Sequence, residues 1–163
     1  IGMATTFGCP FEGIPDLDKV LRFVERIRSC DVDTVYLADT IGIADPAQVR
    51  RTVKGIMERF PDTEMQVHIH DTRGMGLVNT LAAIEAGVDT VQSTLGGLGG
   101  CPFAPGASGN TATEDLVYML QRMGYDTGID FNRLLALSKE QHAEIDGIYS
   151  GHQMNIAAKS PCC

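Results

Sequence analysis

One short pattern occurs twice in this chain and restricts its fold more than any other feature. Thr34-Val35-Tyr36-Leu37-Ala38 runs into Asp39-Thr40-Ile41-Gly42, and Met65-Gln66-Val67-His68-Ile69-His70 runs into Asp71-Thr72-Arg73-Gly74. Each is an apolar, β-branched stretch of strand length closed by an Asp-Thr-x-Gly turn. The two turns lie 32 residues apart, from 39 to 71, which is the span of one strand-helix unit. Two further runs fit the same scheme: Met3-Ala4-Thr5-Thr6-Phe7 before Gly8, and Thr90-Val91-Gln92 before Ser93-Thr94-Leu95-Gly96.

Helical periodicity fills the intervals. Leu17, Val20, Leu21, Val24 and Ile27 follow Pro15, a residue favoured in a first turn. Asp45-Pro46 opens a second helix striped by Val49, Val53, Ile56, Met57 and Phe60, and a third carries Leu77, Leu81 and Ile84 and stops at Gly87. Thr111-x-x-Glu114 has the form of a capping box ahead of Leu116, Val117 and Leu120. A last helical region runs from Asp130 to about Ile148, and residues 151–163 read as a flexible tail after a domain spanning 1–150. Alternating strands and helices predict an α/β protein with a parallel sheet, either doubly wound or part of a barrel. A complete (β/α) barrel needs about 200 residues or more, so four strands amount to half of one.

Composition narrows the function. Among 163 residues, 21 acidic against 13 basic side chains give a net charge of -8, and no Lys/Arg run could track a phosphate backbone, so nucleic acid is not an expected partner. No apolar stretch reaches the roughly 18 residues that a membrane span requires. Five cysteines without finger spacing point to free thiols in a reducing compartment, expected to be the cytoplasm, or the mitochondrial matrix in a eukaryote. The chain opens at Ile1 inside a strand-like run, so it is expected to be a piece of something longer.

Polar groups gather where strands end. Strand side chains alternate between faces, so His68 and His70 point the same way and can hold one metal ion, with Asp71 beside them to orient an imidazole. The alternative is a pair of hydrogen-bonded pocket histidines. Asn110 can supply an amide oxygen, or can simply cap the helix that follows. Cys101 lies in a loop with glycines at 96, 97, 99, 100, 106 and 109, a setting that favours a reactive thiol over a structural one. Asp39 can act as acid, base or turn former, and Glu114 is sufficiently explained by the capping box.

Taken together, these segments resemble the 3-hydroxy-3-methylglutaryl-CoA lyase family, metal-dependent TIM-barrel lyases related to the isopropylmalate and homocitrate synthases. The resemblance rests on Phe7-Gly8-Cys9-Pro10-Phe11-Glu12-Gly13, Ala38-Asp39-Thr40-Ile41-Gly42, His68-Ile69-His70-Asp71-Thr72 and the run from Gly96 to Leu120, and extends from Ile1 to about Leu135. It implies parallel (β/α) units forming the C-terminal half of a TIM barrel, followed by C-terminal helices. It implies that His68, His70 and Asn110 ligate Mg²⁺ or Mn²⁺, that Cys101 is a catalytic proton carrier, and that Asp39 and Glu114 are acidic residues of the active site. The implied reaction cleaves 3-hydroxy-3-methylglutaryl-CoA, an acyl-CoA, to acetyl-CoA and acetoacetate.

The family's first strands, which carry a further aspartate ligand, have no counterpart here, so this chain by itself is expected to be inactive. An open half-barrel is expected to expose two sheet edges and an apolar inner face, inviting a homodimer or the remainder of the barrel. Two other functions fit the sequence. One is a lyase or synthase of the same superfamily acting on another 3-hydroxyacyl-CoA or 2-oxo acid, and the other is a non-catalytic metal-binding or interaction module.

Overall fold

The computed structural model describes residues 1–32, 34–100 and 109–156. Four strands, β1 (Gly2–Met3), β2 (Thr34–Asp39), β3 (Glu64–Ile69) and β4 (Thr90–Gln92), form a parallel sheet in the order β1-β2-β3-β4. Each strand adds beside its predecessor in one direction. A doubly wound sheet reverses its strand order at a switch point; this sheet has no reversal, so its strands lie like successive staves of a barrel. The α/β expectation holds.

Helices α1 (Leu17–Arg28), α2 (Pro46–Arg59) and α3 (Gly76–Ala86) connect the strands. Asp16 caps α1 through Lys19 N at 2.6 Å, which leaves Pro15 just outside the cap rather than in the first turn. Asp45 caps α2 through the amides of Ala47 and Gln48, with Pro46 where its missing N–H costs nothing. Gly87 ends α3 at φ 116, in the left-handed region.

Alternation decides which side chains the helices cover. Val35, Leu37, Met65, Val67 and Ile69 pack with Val24, Val49, Val53, Ile56, Ala82 and Ala83 in one core. Truncating a fully buried member such as Ile56 to Ala should cost about 2–5 kcal/mol. The opposite face carries Tyr36, Gln66, His68 and Gln92, with Gln92 Nε2 donating to Gln66 Oε1 at 2.9 Å. The expected apolar inner face is therefore polar, because the positions between the core residues hold amides and imidazole.

Three local expectations are corrected. The opening strand shrinks to Gly2–Met3 because Thr5 turns to φ 58, its amide held by Thr40 Oγ1 at 2.8 Å, and Phe7 drops into the core. Helix α4 (Thr113–Arg122) starts after Ala112, and no capping box forms: Thr111 Oγ1 donates to Ile69 O and Glu114 turns inward. After α5 (Phe131–Glu144) the chain does not trail away at residue 151. It returns across α4, buries Met154 and forms a 3-10 turn over Gln153–Asn155. Residues 157–163 of the expected tail lie outside the described residues. Among the described residues, no helix is long and apolar enough to cross a membrane.

Candidate active site

The site forms where β3 ends. His68 is the last inward-facing residue of the strand, and His70 follows one position beyond it, so their rings meet edge to face with centroids 5.1 Å apart. The Tyr36 ring lies 6.4 Å from His68 on the neighbouring strand. His70 also forms a bridge with Asn110, which brings a residue 40 positions later in the chain to the same strand end.

Asn110 is held from several sides. Asp71 N donates to Gly109 O at 3.1 Å and Thr111 N to Ile69 O at 3.2 Å, so the segment runs as a short extension of the sheet. Gly109 has φ 97, and a Cβ there would sit 2.3 Å from Gly97 O, so a side chain would block the approach. Asn110 N donates to Gly97 O at 3.1 Å, its Nδ2 donates to Leu98 O at 3.0 Å, and its own carbonyl accepts from Ser150 Oγ at 2.5 Å. Those bonds fix the carboxamide with Oδ1 pointing away from Leu98.

Four buried side-chain atoms have no hydrogen-bond partner among the described residues, Thr72 Oγ1 and Asn79 Oδ1 besides two at this strand end. Those two are Asn110 Oδ1 and His70 Nδ1. A buried polar atom without a partner costs about 1–3 kcal/mol, so a group that satisfies either atom here would be favoured. Burial pushes the pKa of both imidazoles below its ordinary value; for His68 the neighbouring His70 adds to this and the Asn110 carboxamide opposes it. Neutral imidazoles are the form that ligates. Two imidazole nitrogens and an amide oxygen suit a divalent cation with open positions for water or a ligand's oxygens. Among the described residues no group of three His, Cys, Asp or Glu side chains that could hold a metal ion gathers.

The two carboxylates expected in the site are fully buried. Asp39 accepts from Ile43 N and Ala44 N, both at 3.0 Å, one on each oxygen. Burial raises its pKa, against the pull of the Ala44, Ile43 and Gly42 amides and of Arg73. Glu114 accepts from Gly96 N at 2.9 Å and Ser138 Oγ at 2.8 Å, tying α4 to the Leu95–Gly97 turn and to α5. Both carboxylates clamp backbone. Asp71 Oδ1 accepts from Gly76 N at 2.6 Å, at the start of α3. Cys101 lies outside the described residues.

Sequence reasoning missed several supporting groups. Arg73 Nη1 donates to the carbonyls of Ile41 and Gly42, joining the two Asp-Thr-x-Gly turns. Asp115 accepts from His152 N, His152 Nδ1 and Gln153 N. Buried Asn79 reaches Ala44 O. A signal for Arg73 was present, since it occupies the variable position of one repeated turn. Ser150 and Asp115 offer none, because their partners are remote in sequence.

Comparison with known proteins agrees with this architecture. The HMGL-like family model matches residues 1–140. The hydroxymethylglutaryl-CoA lyase YngG of Bacillus subtilis is 42% identical over 137 residues, covering 84% of this chain and 46% of that protein. The (R)-citramalyl-CoA lyase of Chloroflexus aurantiacus is 41% identical over 138 residues, covering 85% of this chain and 44% of that one. An HMG-CoA lyase structure from Acinetobacter baumannii, in complex with coenzyme A and 3-methylmalate, superposes with a TM-score of 0.83 at 43% identity, covering 96% of this chain and 53% of that one. This chain thus spans about half the length of the relatives it matches. With the parallel sheet, its sequential strand order and its strand-end histidines, these likenesses place the chain in the HMGL-like family.

Proposed function

We propose that this chain is part of a metal-dependent carbon–carbon lyase that cleaves 3-hydroxy-3-methylglutaryl-CoA to acetyl-CoA and acetoacetate. The observation that carries the reading is the convergence of His68, His70 and Asn110, with His70 Nδ1 and Asn110 Oδ1 buried and without a hydrogen-bond partner among the described residues. In the reaction the proton of the tertiary C3 hydroxyl leaves and the C2–C3 bond breaks. C3 becomes the ketone of acetoacetate, and the electron pair stays on C2 as a thioester enolate that takes up one proton. A divalent cation, Mg²⁺ or Mn²⁺, would lower the pKa of that hydroxyl and orient it. His68, His70 and Asn110 are the residues that would hold it.

Cys101 is assigned the delivery of the proton to C2. Asp39 and Glu114, whose oxygens are taken by backbone amides and a serine hydroxyl, are assigned to holding the rim of the site, Asp39 at the turn after β2 and Glu114 at the Leu95–Gly97 turn. The polar inner face around Tyr36, Gln66 and Gln92 would accommodate the acyl end of the substrate rather than a lipid or an apolar core. The working protein is a homo-oligomer or a completed barrel in the cytoplasm, or in the matrix of a mitochondrion.

A second reading, cleavage of another 3-hydroxyacyl-CoA, is favoured by the citramalyl-CoA lyase, which is nearly as similar as YngG. One assay separates the two. The 163-residue chain, and the same chain joined to any upstream coding sequence, are incubated with each thioester with and without Mg²⁺ or Mn²⁺. Metal-dependent acetoacetate release abolished by Cys101→Ala supports the first reading, and cleavage of (R)-citramalyl-CoA alone supports the second. Inactivity of both forms on both thioesters would remove the lyase assignment.

A further inference from the structure

We propose that the segment from Ile148 to Gln153 is a strap that sets the position of Asn110, with Ser150 as the positioning residue; this rests on the reading of Asn110 as a metal ligand. Asn110 stands on a backbone with little stiffness of its own. Gly96, Gly97, Gly99 and Gly109 all take positive φ, and glycine in such positions has wide conformational freedom. A ligand on so pliant a segment must be held from outside if its oxygen is to stay within the few tenths of an ångström that coordination demands.

The strap supplies that restraint. Ser150 Oγ donates to Asn110 O at 2.5 Å, Gly99 N donates to Ile148 O at 3.3 Å, and Gly151 N donates to Gly96 O at 3.0 Å. The strap therefore bonds residues 96, 99 and 110, on both sides of the segment between Gly99 and Asn110. It fits closely: a Cβ on Gly97 would lie 1.9 Å from Ser150 Oγ, and one on Gly96 would lie 2.6 Å from the Tyr149 ring. Its far end is anchored on buried Asp115, which accepts from His152 N at 2.8 Å, His152 Nδ1 at 2.9 Å and Gln153 N at 2.8 Å. Among the described residues the amide N–H, the Nδ2 and the carbonyl of Asn110 are thereby engaged, and the Ser150 bond comes from neither the glycine turn nor the sheet.

Binding of Mn²⁺, followed through the paramagnetic resonance signal of the free ion, tests this without an activity assay. The wild-type chain is compared with Ser150→Ala, Asn110→Ala and the double variant, with thermal melting in parallel. Ser150→Ala should weaken Mn²⁺ binding about tenfold, the scale of losing a group that orients a ligand, and by less than twofold where Asn110 is already Ala. Ser150→Cys, nearly the same size with a weak donor, should fall between wild type and Ser150→Ala and serves if the alanine variant does not fold. Unchanged affinity in Ser150→Ala, with binding lost in Asn110→Ala, overturns the strap and leaves the site. Equal weakening in both backgrounds overturns it as well, since Ser150 would then act through the fold at large. Unchanged affinity in Asn110→Ala removes the ligand assignment and the strap with it.

Discussion

The ends of β2 and β3 use one turn for two purposes. In both, the aspartate of the turn reaches five residues ahead to a backbone amide: Asp39 to Ala44 N, and Asp71 to Gly76 N at the start of α3. What differs is the pair of inward-facing residues before the aspartate. β2 presents Tyr36 and Ala38, and β3 presents His68 with His70 one residue beyond its end. The pairing register adds a second difference. Ala38 lies opposite His68, and Asp39 opposite Ile69, so the third strand carries its turn two residues further along the sheet. Such a stagger is inherent to staves of a barrel. It lifts His70 beyond the end of β2, where Asn110 can reach it. The aspartates build the rim and the histidines furnish it.

Exchanging the two kinds of residue gives the largest effects. His68→Ala or His70→Ala should cut metal-dependent turnover of the lyase by roughly 100-fold or more, and Mn²⁺ affinity with it, since a ligand matters at least as much as the groups that orient it. Its melting temperature should change little, because the imidazoles have few partners in the fold. Asp39→Asn should do the reverse. An amide cannot accept on both sides from Ile43 and Ala44, so one buried amide loses its partner at a cost of about 1–3 kcal/mol, while Mn²⁺ affinity stays within about twofold. A folded Asp39→Asn protein that no longer binds Mn²⁺ would break the division between rim and site.

That division was partly legible in the sequence. The strands β2 and β3 were readable because each is an apolar, β-branched run of strand length and the Asp-Thr-x-Gly turn ends each, both local signals. The stop of α3 at Gly87 was equally local, a left-handed residue after a helical stripe. The apparent capping box misled because tertiary partners outbid the local pattern. Thr111 is drawn to Ile69 O and Glu114 to Gly96 N and Ser138, which leaves Ala112 at the head of α4. Asn110 was ambiguous for a related reason, since a short carboxamide just before a helix serves a cap and a ligand alike; α4 takes Ala112 as its N-cap with no side-chain cap bond, so Asn110 does not cap it. The bond from Ser150 to Asn110 joins residues 40 apart in sequence with no periodic trace, and nothing local could have disclosed it.

Glu114 extends the comparison to the other rim. In Glu114→Gln the side chain keeps one acceptor but presents an NH₂ to either Gly96 N or Ser138 Oγ. Stability should fall by about 1–2 kcal/mol, read from denaturant midpoints, with amide-exchange protection lost in α5 and retained in α1 and α2. Equal loss of protection across α1 and α2 would mean that Glu114 supports the whole core rather than the contact between α4 and α5.

The smallest effect is the acid side of the stability curve, and it separates histidines from aspartates by sign. Burial holds the pKa values of His68 and His70 below the ordinary 6.5. As pH falls through 6.5 the unfolded chain therefore binds protons before the folded one does, so stability drops, and goes on dropping until the folded values are passed. Asp39 and Asp71 have raised values, above the ordinary 3.8. The folded chain takes up their protons first, so acidification through those values toward 3.8 returns stability instead of removing it. In buffer with a chelator, melting temperature should decline from pH 7 downward through 6.5 in the wild-type chain. The decline should be shallower when both His68 and His70 are replaced by Gln. Parallel curves for the two proteins would mean that the imidazoles are not desolvated, and the strand-end cluster would then lose its claim to be a site rather than a surface.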